Sequence, residues 1–139
     1  MMIMKRNIET LLAAGMLLLA MLAFAWADGG FRFFGPLRRI VTPNGDQSNN
    51  MAIFCFDNPA DSGVAGRIFT LFGSHVADFG PQQTSTVAGA TGCPMGILNK
   101  AYYLTWDGKA NGVVVRSGVY IYQVRAEGAA FTGTLLVVR

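Results

Sequence analysis

Short apolar segments, separated by clusters of glycine, proline, asparagine and aspartate, follow one another along the chain from residue 37 onward. None of them keeps apolar residues at three- and four-residue spacing over three turns, so the pattern does not favour helices. Brief β-rich runs interrupted by turn residues are typical of an all-β sandwich or barrel, here with seven or eight strands. We predict strands over residues 37–42, 51–56, 66–72, 75–79, 84–88, 101–106, 118–126 and 131–138.

The last two predicted strands form a hairpin that turns at Glu127-Gly128. The first of them is apolar on both faces near its start, because Val119 and Ile121 alternate with two tyrosines. A strand with two apolar faces is typical of the centre of a sheet. We therefore expect residues 118–126 to form a central strand.

The first 27 residues have the organisation of a secretory signal peptide. Lys5 and Arg6 form a positive region, and the apolar run over 11–24 is shorter than the roughly 20 residues that span a bilayer. Ala25-Trp26-Ala27 supplies the small-x-small pattern that precedes a cleavage site. We expect an exported protein of the periplasm, the cell surface or the extracellular space, which contacts the membrane only through this segment before cleavage.

An aromatic arm over residues 28–36 separates the predicted signal peptide from the β domain over 37–139. It carries Phe31, Phe33 and Phe34 between glycine-containing pairs, and these residues are the candidate subunit contact. The arm has three predicted states: an extra edge strand on its own sandwich, a strand added to the edge of a neighbouring subunit, or a disordered tail. In the second state, head-to-tail addition of subunits would produce a filament.

The amino-acid composition limits which class of protein this can be and which partners it can bind. The 139 residues fit one domain, and 52% apolar against 14% charged residues excludes an intrinsically disordered chain. Loss of the signal peptide removes two basic residues and one acid, which lowers the formal net charge from +3 to +2. The remaining basic residues are dispersed, whereas a nucleic-acid-binding protein would show a clustered stripe. We therefore exclude nucleic acid as a partner.

Cys55 and Cys93 are the two cysteines of the chain. An exported setting permits oxidation, so we predict a disulfide between them, and two buried free thiols are the alternative. The bridge would tie the glycine-rich loop over 89–96 to a strand. Two cysteines and the single histidine do not supply the four ligands of a structural zinc site.

Catalytic and metal-binding residues are few. His75 is the single histidine, and Ser74 and Ser117 are the serines that a nucleophile reading would select. Ser74 is poorly placed to pair with the adjacent His75, since neighbouring residues of a strand point to opposite faces. We predict that the protein is not an enzyme.

The loop near residue 45 offers one carboxylate and several amides, on Asn44, Asp46, Asn49 and Asn50. Calcium usually takes two or more carboxylates, so the two readings are a weak calcium site and a turn stabilised by Asx side chains. No other cofactor is expected.

Three segments of the chain resemble a known family. They are residues 67–76; Thr42-Pro43-Asn44-Gly45-Asp46; and Trp106-Asp107-Gly108-Lys109 with the following Asn111-Gly112 and Ser117-Gly118-Val119-Tyr120-Ile121-Tyr122. Together they are similar to the Ig-like domain of flagellar hook-capping proteins, which recurs at the C-termini of gliding-motility and type IX secretion proteins. The resemblance covers roughly residues 38–139. It implies an immunoglobulin-like antiparallel β-sandwich and an exported setting, and it implies no activity.

We call the residues of the third segment, which begins at Trp106, the signature residues. In this interpretation they have structural roles. Trp106 offers a large ring to the core, and Asp107-Gly108 forms a tight turn. Gly118 is expected to relieve crowding at the start of the strand on which Tyr120 and Tyr122 share one face. We expect all of them to serve the fold rather than a site.

The predicted function is that of an exported, non-catalytic structural or interaction domain. Its partner would be a protein, the same chain included, within a cell-surface or extracellular assembly such as a filament. One alternative is a carbohydrate- or surface-binding adhesin, and another is an export-associated sorting domain. The adhesin would expose an aromatic cluster, for which the candidates are Phe31, Phe33, Phe34, Tyr102 and Tyr103.

We predict that export removes residues 1–27 and leaves Asp28 as the first residue of the mature protein, because cleavage follows Ala25-Trp26-Ala27. The intact mass of protein purified from the native host measures this directly. A mass that still includes residues 1–27 would contradict it.

Overall fold

The computed structural model describes residues 30–46 and 48–139. Within these two ranges the chain forms eleven strands and no helix, which confirms the prediction of an all-β fold. The predicted signal peptide and the first two residues of the arm lie outside the described residues. The described part of the chain contains no helix with the length and apolar character needed to cross a bilayer.

The strands are short and follow one another closely. They are β1 (Arg32–Pro36), β2 (Ile40–Val41), β3 (Ala52–Asp57), β4 (Val64–Thr70), β5 (His75–Asp78), β6 (Gln83–Ser85), β7 (Ala101–Trp106), β8 (Lys109–Ala110), β9 (Val113–Val114), β10 (Gly118–Ala126) and β11 (Ala129–Val137). Each of the eight predicted strands has a counterpart. The small β8–β9 hairpin was not predicted, because its two-residue strands are too short to show a period.

The strands form two main sheets that pack against each other. Antiparallel β1, β3, β7 and β6 lie in that order in a four-stranded sheet, and β2, β11, β10, β4 and β5 form a five-stranded sheet. The second sheet is mixed, because β2 runs parallel to β11 while the other pairs are antiparallel. Strand β10 lies between β11 and β4, so it is the central strand that its pattern predicts.

One hydrophobic core lies between the two sheets. On β7 the buried Tyr102, Leu104 and Trp106 alternate with the partly exposed Tyr103 and Thr105, as the two-residue period of a strand requires. The other buried core side chains come from both sheets: Val41, Ala52, Phe54, Phe56, Ile68, Tyr122, Val124, Leu135 and Val137. Two sheets that share one core have the layered arrangement of a β-sandwich.

Aromatic rings connect the two sheets at the centre of this core. The Phe54 ring of β3 lies 4.9 Å from the Tyr122 ring of β10, edge to face, and 4.5 Å from the Phe79 ring. Two glycines make room for these rings. A Cβ at Gly66 would overlap the ring of Phe79, and one at Gly133 would overlap the phenol of Tyr122.

The aromatic arm lies on its own sandwich. Its strand β1 pairs with β3 at the edge of the four-stranded sheet, with Arg32 opposite Asp57 and Phe33 opposite Phe56. Phe31 and Phe33 pack on the core, and their ring centroids lie 5.7 and 5.1 Å from that of Phe131. This is the first of the three predicted states of the arm, reached because its apolar side chains find a place on the core.

The predicted strand over 37–42 is much shorter in the structure, because the chain changes sheets there. The N–H of Leu37 donates to the carbonyl of Ile53 in the four-stranded sheet, at 2.7 Å. Two residues later, the carbonyl of Arg39 accepts from the N–H of Leu136 in the five-stranded sheet, at 2.7 Å. Only Ile40 and Val41 are left to pair with β11.

Trp106 ends β7 with its side chain 3% exposed in the core. Its Nε1–H donates to the carbonyl of Lys109 at 2.9 Å, so the indole also fixes the turn that follows. We expect Trp106→Ala to lower the free energy of unfolding by about 3–5 kcal/mol, the usual cost of removing a large aromatic side chain from a core. Urea denaturation measures it.

Trp106→Phe is the matched control, because it keeps a core ring and removes the indole N–H. We expect it to cost less than Trp106→Ala. If Trp106→Ala left stability unchanged and instead abolished binding of a partner, Trp106 would be a surface anchor.

Candidate interaction surfaces

The signature residues around Trp106 form a compact turn. The side-chain Oδ1 of Asp107 accepts from the N–H of Lys109 at 3.1 Å. Gly108 has a φ of +73°, and a Cβ there would lie 3.0 Å from Cγ of Pro43. Both the backbone conformation and the close approach of Pro43 therefore favour glycine. Asp107 and Gly108 have the contacts that a turn role requires.

The other signature residues lie at the start of β10. Tyr120 and Tyr122 both face the core, as their spacing predicts. The Tyr120 hydroxyl donates to the carbonyl of Arg116 at 2.7 Å, which fixes the chain entering the strand. Crowding does not explain Gly118, because a Cβ built there meets no heavy atom within 4 Å.

Tyr122 has a perturbed pKa. Burial raises the pKa of its phenol above the ordinary 10.0, and the positive charge of Arg39 partly opposes this shift. The folded state therefore favours the neutral phenol, and the stability that this group contributes is complete below pH 10 and is lost as the pH rises through the raised pKa.

The disulfide between Cys55 and Cys93 is confirmed, with the two Cα atoms 5.4 Å apart. Cys55 lies on the outer face of β3, since its neighbours Phe54 and Phe56 point into the core. A second apolar cluster forms around the bridge, with buried Ala101 and the partly buried Ile53, Met95 and Tyr103. The glycine-rich loop thus covers the outer face of the four-stranded sheet.

A buried carboxylate holds the same loop. Asp57 is 1% exposed, and its Oδ2 accepts from the N–H of Ile97 at 3.0 Å. A Cβ at Gly96 would overlap the Asp57 carboxylate, so glycine is needed where the loop passes over it. The other oxygen, Oδ1, has no hydrogen-bond partner among the described residues. Sequence reasoning missed Asp57, because an aspartate at the end of a strand resembles an ordinary turn residue.

The asparagine-rich loop is held by its own hydrogen bonds. Asp46 accepts from the side-chain amide of Asn44 at 3.0 Å and from the N–H of Ser48 at 2.9 Å. Asn50 accepts from a loop N–H at 3.3 Å, and Asn49 accepts from an arginine guanidinium at 2.9 Å. In the part of the chain described, no three His, Cys, Asp or Glu residues are grouped to hold a metal ion. The contacts are those of a turn stabilised by Asx side chains.

The residues considered for catalysis, His75 and the two serines, each contact a nearby group at hydrogen-bond distance. Nε2 of His75 lies 3.0 Å from Oδ1 of Asp78, and its ring packs edge-on against that of Phe69. The Ser117 hydroxyl accepts from the N–H of Arg139 at 2.9 Å, and the N–H of Ser74 donates to the Thr70 hydroxyl at 3.1 Å. These contacts bring His75 to an acid and not to a serine.

The aromatic residues considered for an adhesin are mostly covered. Tyr102 is in the core, Tyr103 packs under the disulfide-bonded loop, and Phe31 and Phe33 pack on the core. Phe34 is the exposed one, with the guanidinium of Arg32 above its ring. These five residues therefore do not form one exposed aromatic cluster.

An exposed apolar surface lies on the outer face of the five-stranded sheet, and sequence reasoning missed it. Register places Ile40, Leu136 and Val119 side by side on three neighbouring strands. They are 49, 40 and 42% exposed. Leu71 and Phe72, in the turn that follows β4, are exposed as well, and Phe72 is 97% exposed. We call these five residues the apolar patch.

The opposite end of the same face is polar. There Arg67 lies beside Asp78, with 3.7 Å between its Nε and Oδ1, and Arg125 donates to Gln123 at 2.9 Å. A sequence signal for the apolar patch did exist, because β10 is apolar on both faces near its start. In a fold of two layers only one of those faces can be in the core.

Comparison with known proteins adds no assignment: the chain matches no protein-family model, no curated protein and no solved structure at a significant level. The resemblance to the Ig-like domain of hook-capping proteins is therefore carried by its motifs.

We predict that replacing both Cys55 and Cys93 by alanine lowers the free energy of unfolding by about 3–4 kcal/mol, the chain-entropy estimate for a loop of this size. Urea denaturation of the wild-type protein and the variant measures the difference. Reductant should destabilise the wild-type protein and leave the double variant unchanged. Two free thiols in unfolded, unreduced wild-type protein would contradict the disulfide.

Proposed function

We propose that this protein is an exported, non-catalytic interaction domain with an immunoglobulin-like fold, and that it acts as a subunit of a larger assembly. The observation that carries the proposal is the apolar patch on the five-stranded sheet. Five large apolar side chains expose on the order of 500 Å² there, which is in the range of the largest apolar patch on a monomer, and such a patch is often functional.

The strand order supports an immunoglobulin-like fold. The order β1-β3-β7-β6 corresponds to strands A-B-E-D of that fold, and β11-β10-β4-β5 corresponds to G-F-C-C′. The hydrogen bond from Tyr120 to the carbonyl of Arg116 corresponds to the tyrosine corner near the start of strand F. Two residues later, where an antibody domain has its second cysteine, Tyr122 contacts Phe54 across the core.

The disulfide supports an exported location. Disulfides persist in oxidising compartments and are rare in the cytosol, and both cysteines of this chain form one. The signal-peptide pattern over residues 1–27 predicts the same location.

The two outer faces of the fold differ in whether a loop packs on the sheet. The chain covers Cys55, Ile53 and Tyr103 on the outer face of its four-stranded sheet with the loop that carries Cys93 and Met95. It leaves Ile40, Leu136 and Val119 exposed on the other sheet. The largest apolar patch on a monomer is often functional, so the second face is the one expected to be buried in an assembly.

The partner that we propose for the patch is a second copy of this chain. The patch contains no charged residue, so two copies can meet there without like-charge repulsion. Two facing patches would bury on the order of 1,000 Å², which reaches the area expected of a specific interface. An interface of this kind is the same surface on both subunits, related by a two-fold axis.

We predict that the mature protein, residues 28–139, self-associates, and that Val119→Lys weakens this self-association at least tenfold by placing a charge in the interface. Sedimentation velocity over a range of protein concentrations measures the association. The control is Ala65→Lys, which adds the same charge at the exposed polar end of the same face. A wild-type protein that stays monomeric at high concentration would contradict the proposal.

A further inference from the structure

One edge of the five-stranded sheet is largely open. On the side of β11 away from β10, the described chain supplies only β2, which pairs with Leu136 and Val137. No described strand pairs with the preceding part of β11, residues 129–135, on that side. An unpaired edge of this length presents a row of backbone donors and acceptors to another strand.

The direction of the free backbone groups follows from one hydrogen bond. The N–H of Leu136 points away from β10, because it donates to the carbonyl of Arg39. Alternate residues of a strand direct their N–H and C=O groups to the same side. Thr134, Thr132 and Ala130 therefore present their backbone groups to the open edge, and all three residues are exposed.

An aromatic groove runs beside this edge. It lies between β1 and β11, has a volume of about 520 Å³, and is lined by Phe33, Phe34, Gly35, Pro36, Arg39, Tyr122, Ala130, Phe131 and Thr132. The rings of Phe33 and Phe131 lie 5.1 Å apart, and those of Phe33 and Tyr122 lie 6.1 Å apart. The groove thus brings aromatic residues next to the unpaired backbone of β11.

The charge of the groove is positive. Arg39 is the charged residue among those that line it, and its guanidinium acts on the phenol of Tyr122. Arg32 lies above the ring of Phe34, which also lines the groove. Glu127, the nearest acid along the chain from β11, is not among the residues that line the groove, and its carboxylate accepts hydrogen bonds from the N–H of Phe31 and the hydroxyl of Ser62.

We propose that this groove binds an extended, acidic segment of another polypeptide, which adds a strand to the open edge of β11. Main-chain hydrogen bonds to residues 130, 132 and 134 would supply affinity, as in other cases of strand addition. Apolar side chains of the segment would pack on Phe33 and Phe131, and a carboxylate would pair with Arg39. The seven residues 129–135 extend for roughly 23 Å, which sets the length of the segment.

This site is separate from the apolar patch. The patch lies on the outer face of the sheet, whereas the groove opens at the sheet edge between the two layers. The chain can therefore contact two partners at once, one on the face and one at the edge.

A labelled peptide tests the proposal. The probe is a fluorescein-labelled peptide of roughly nine residues, long enough to span the open edge. Threonine occupies every second position, and valine and glutamate alternate in the others, so that valine and glutamate share the face that meets the groove. Binding to the mature protein is measured by fluorescence anisotropy. We expect binding that weakens as salt is added, and at least tenfold weaker binding of the same peptide with lysine in place of glutamate.

Thr132→Pro tests the backbone contact. Proline removes an N–H that points to the open edge and leaves the hydrogen bonds between β10 and β11 in place, and edge strands tolerate proline there. We expect this variant to fold, as judged by thermal unfolding, and to lose binding at least tenfold. Unchanged affinity of folded Thr132→Pro would overturn the proposal.

Arg39→Glu tests the charge without changing the backbone, and it decides the question if Thr132→Pro does not fold. We expect a loss of at least tenfold in affinity for the acidic peptide. Lys100→Glu changes an exposed residue of the loop just before β7, makes the same change in net charge and should bind normally. Equal affinities of the two charge variants would overturn the proposal.

The test also separates this site from the proposed self-association. Val119→Lys should bind the peptide with wild-type affinity, whether or not the wild-type protein self-associates. If no peptide binds and Thr132→Pro abolishes self-association instead, the open edge belongs to a second copy of the chain, and the acidic segment is ruled out.

Discussion

The contact of Phe54 with Tyr122 across the core is the interaction on which the rest of the structure depends. It joins an inner strand of one sheet to the central strand of the other, with the two ring centroids 4.9 Å apart. Phe79 extends the contact, and it fits only because position 66 is a glycine. Aromatic pairs of this kind contribute about 0.5–1.5 kcal/mol beyond the burial of their area. They also set the spacing at which the other core residues of the two sheets meet.

The change of sheet between β1 and β2 determines which surfaces are left open. β1 belongs to the four-stranded sheet, and within three residues the chain has reached β11 in the other sheet. Because only Ile40 and Val41 of the crossing chain pair with β11, most of the β11 edge has no partner strand among the described residues. The same crossing places Ile40 beside Leu136, where it extends the apolar patch on the outer face.

The two outer faces of the domain differ, and the difference supports the proposed role. A disulfide and a hydrogen bond to the Asp57 carboxylate hold a loop over one face. The other face combines an apolar end with a polar end, and its edge opens into a basic aromatic groove. A domain with an exposed apolar surface and an open strand edge is suited to connect proteins in an assembly, and this is the role we propose.

The sequence by itself determined the all-β fold and the central position of residues 118–126, because alternation and turn residues are local signals. It allowed one pairing of Cys55 with Cys93, and the structure decided that the two cysteines are bridged rather than free. The sequence left the state of the arm open, and it missed Asp57 and the apolar patch. Whether Val119 lies inside or outside depends on which face of β10 meets the second sheet. Only tertiary packing decides that, since each strand with two apolar faces can bury one of them against a single core.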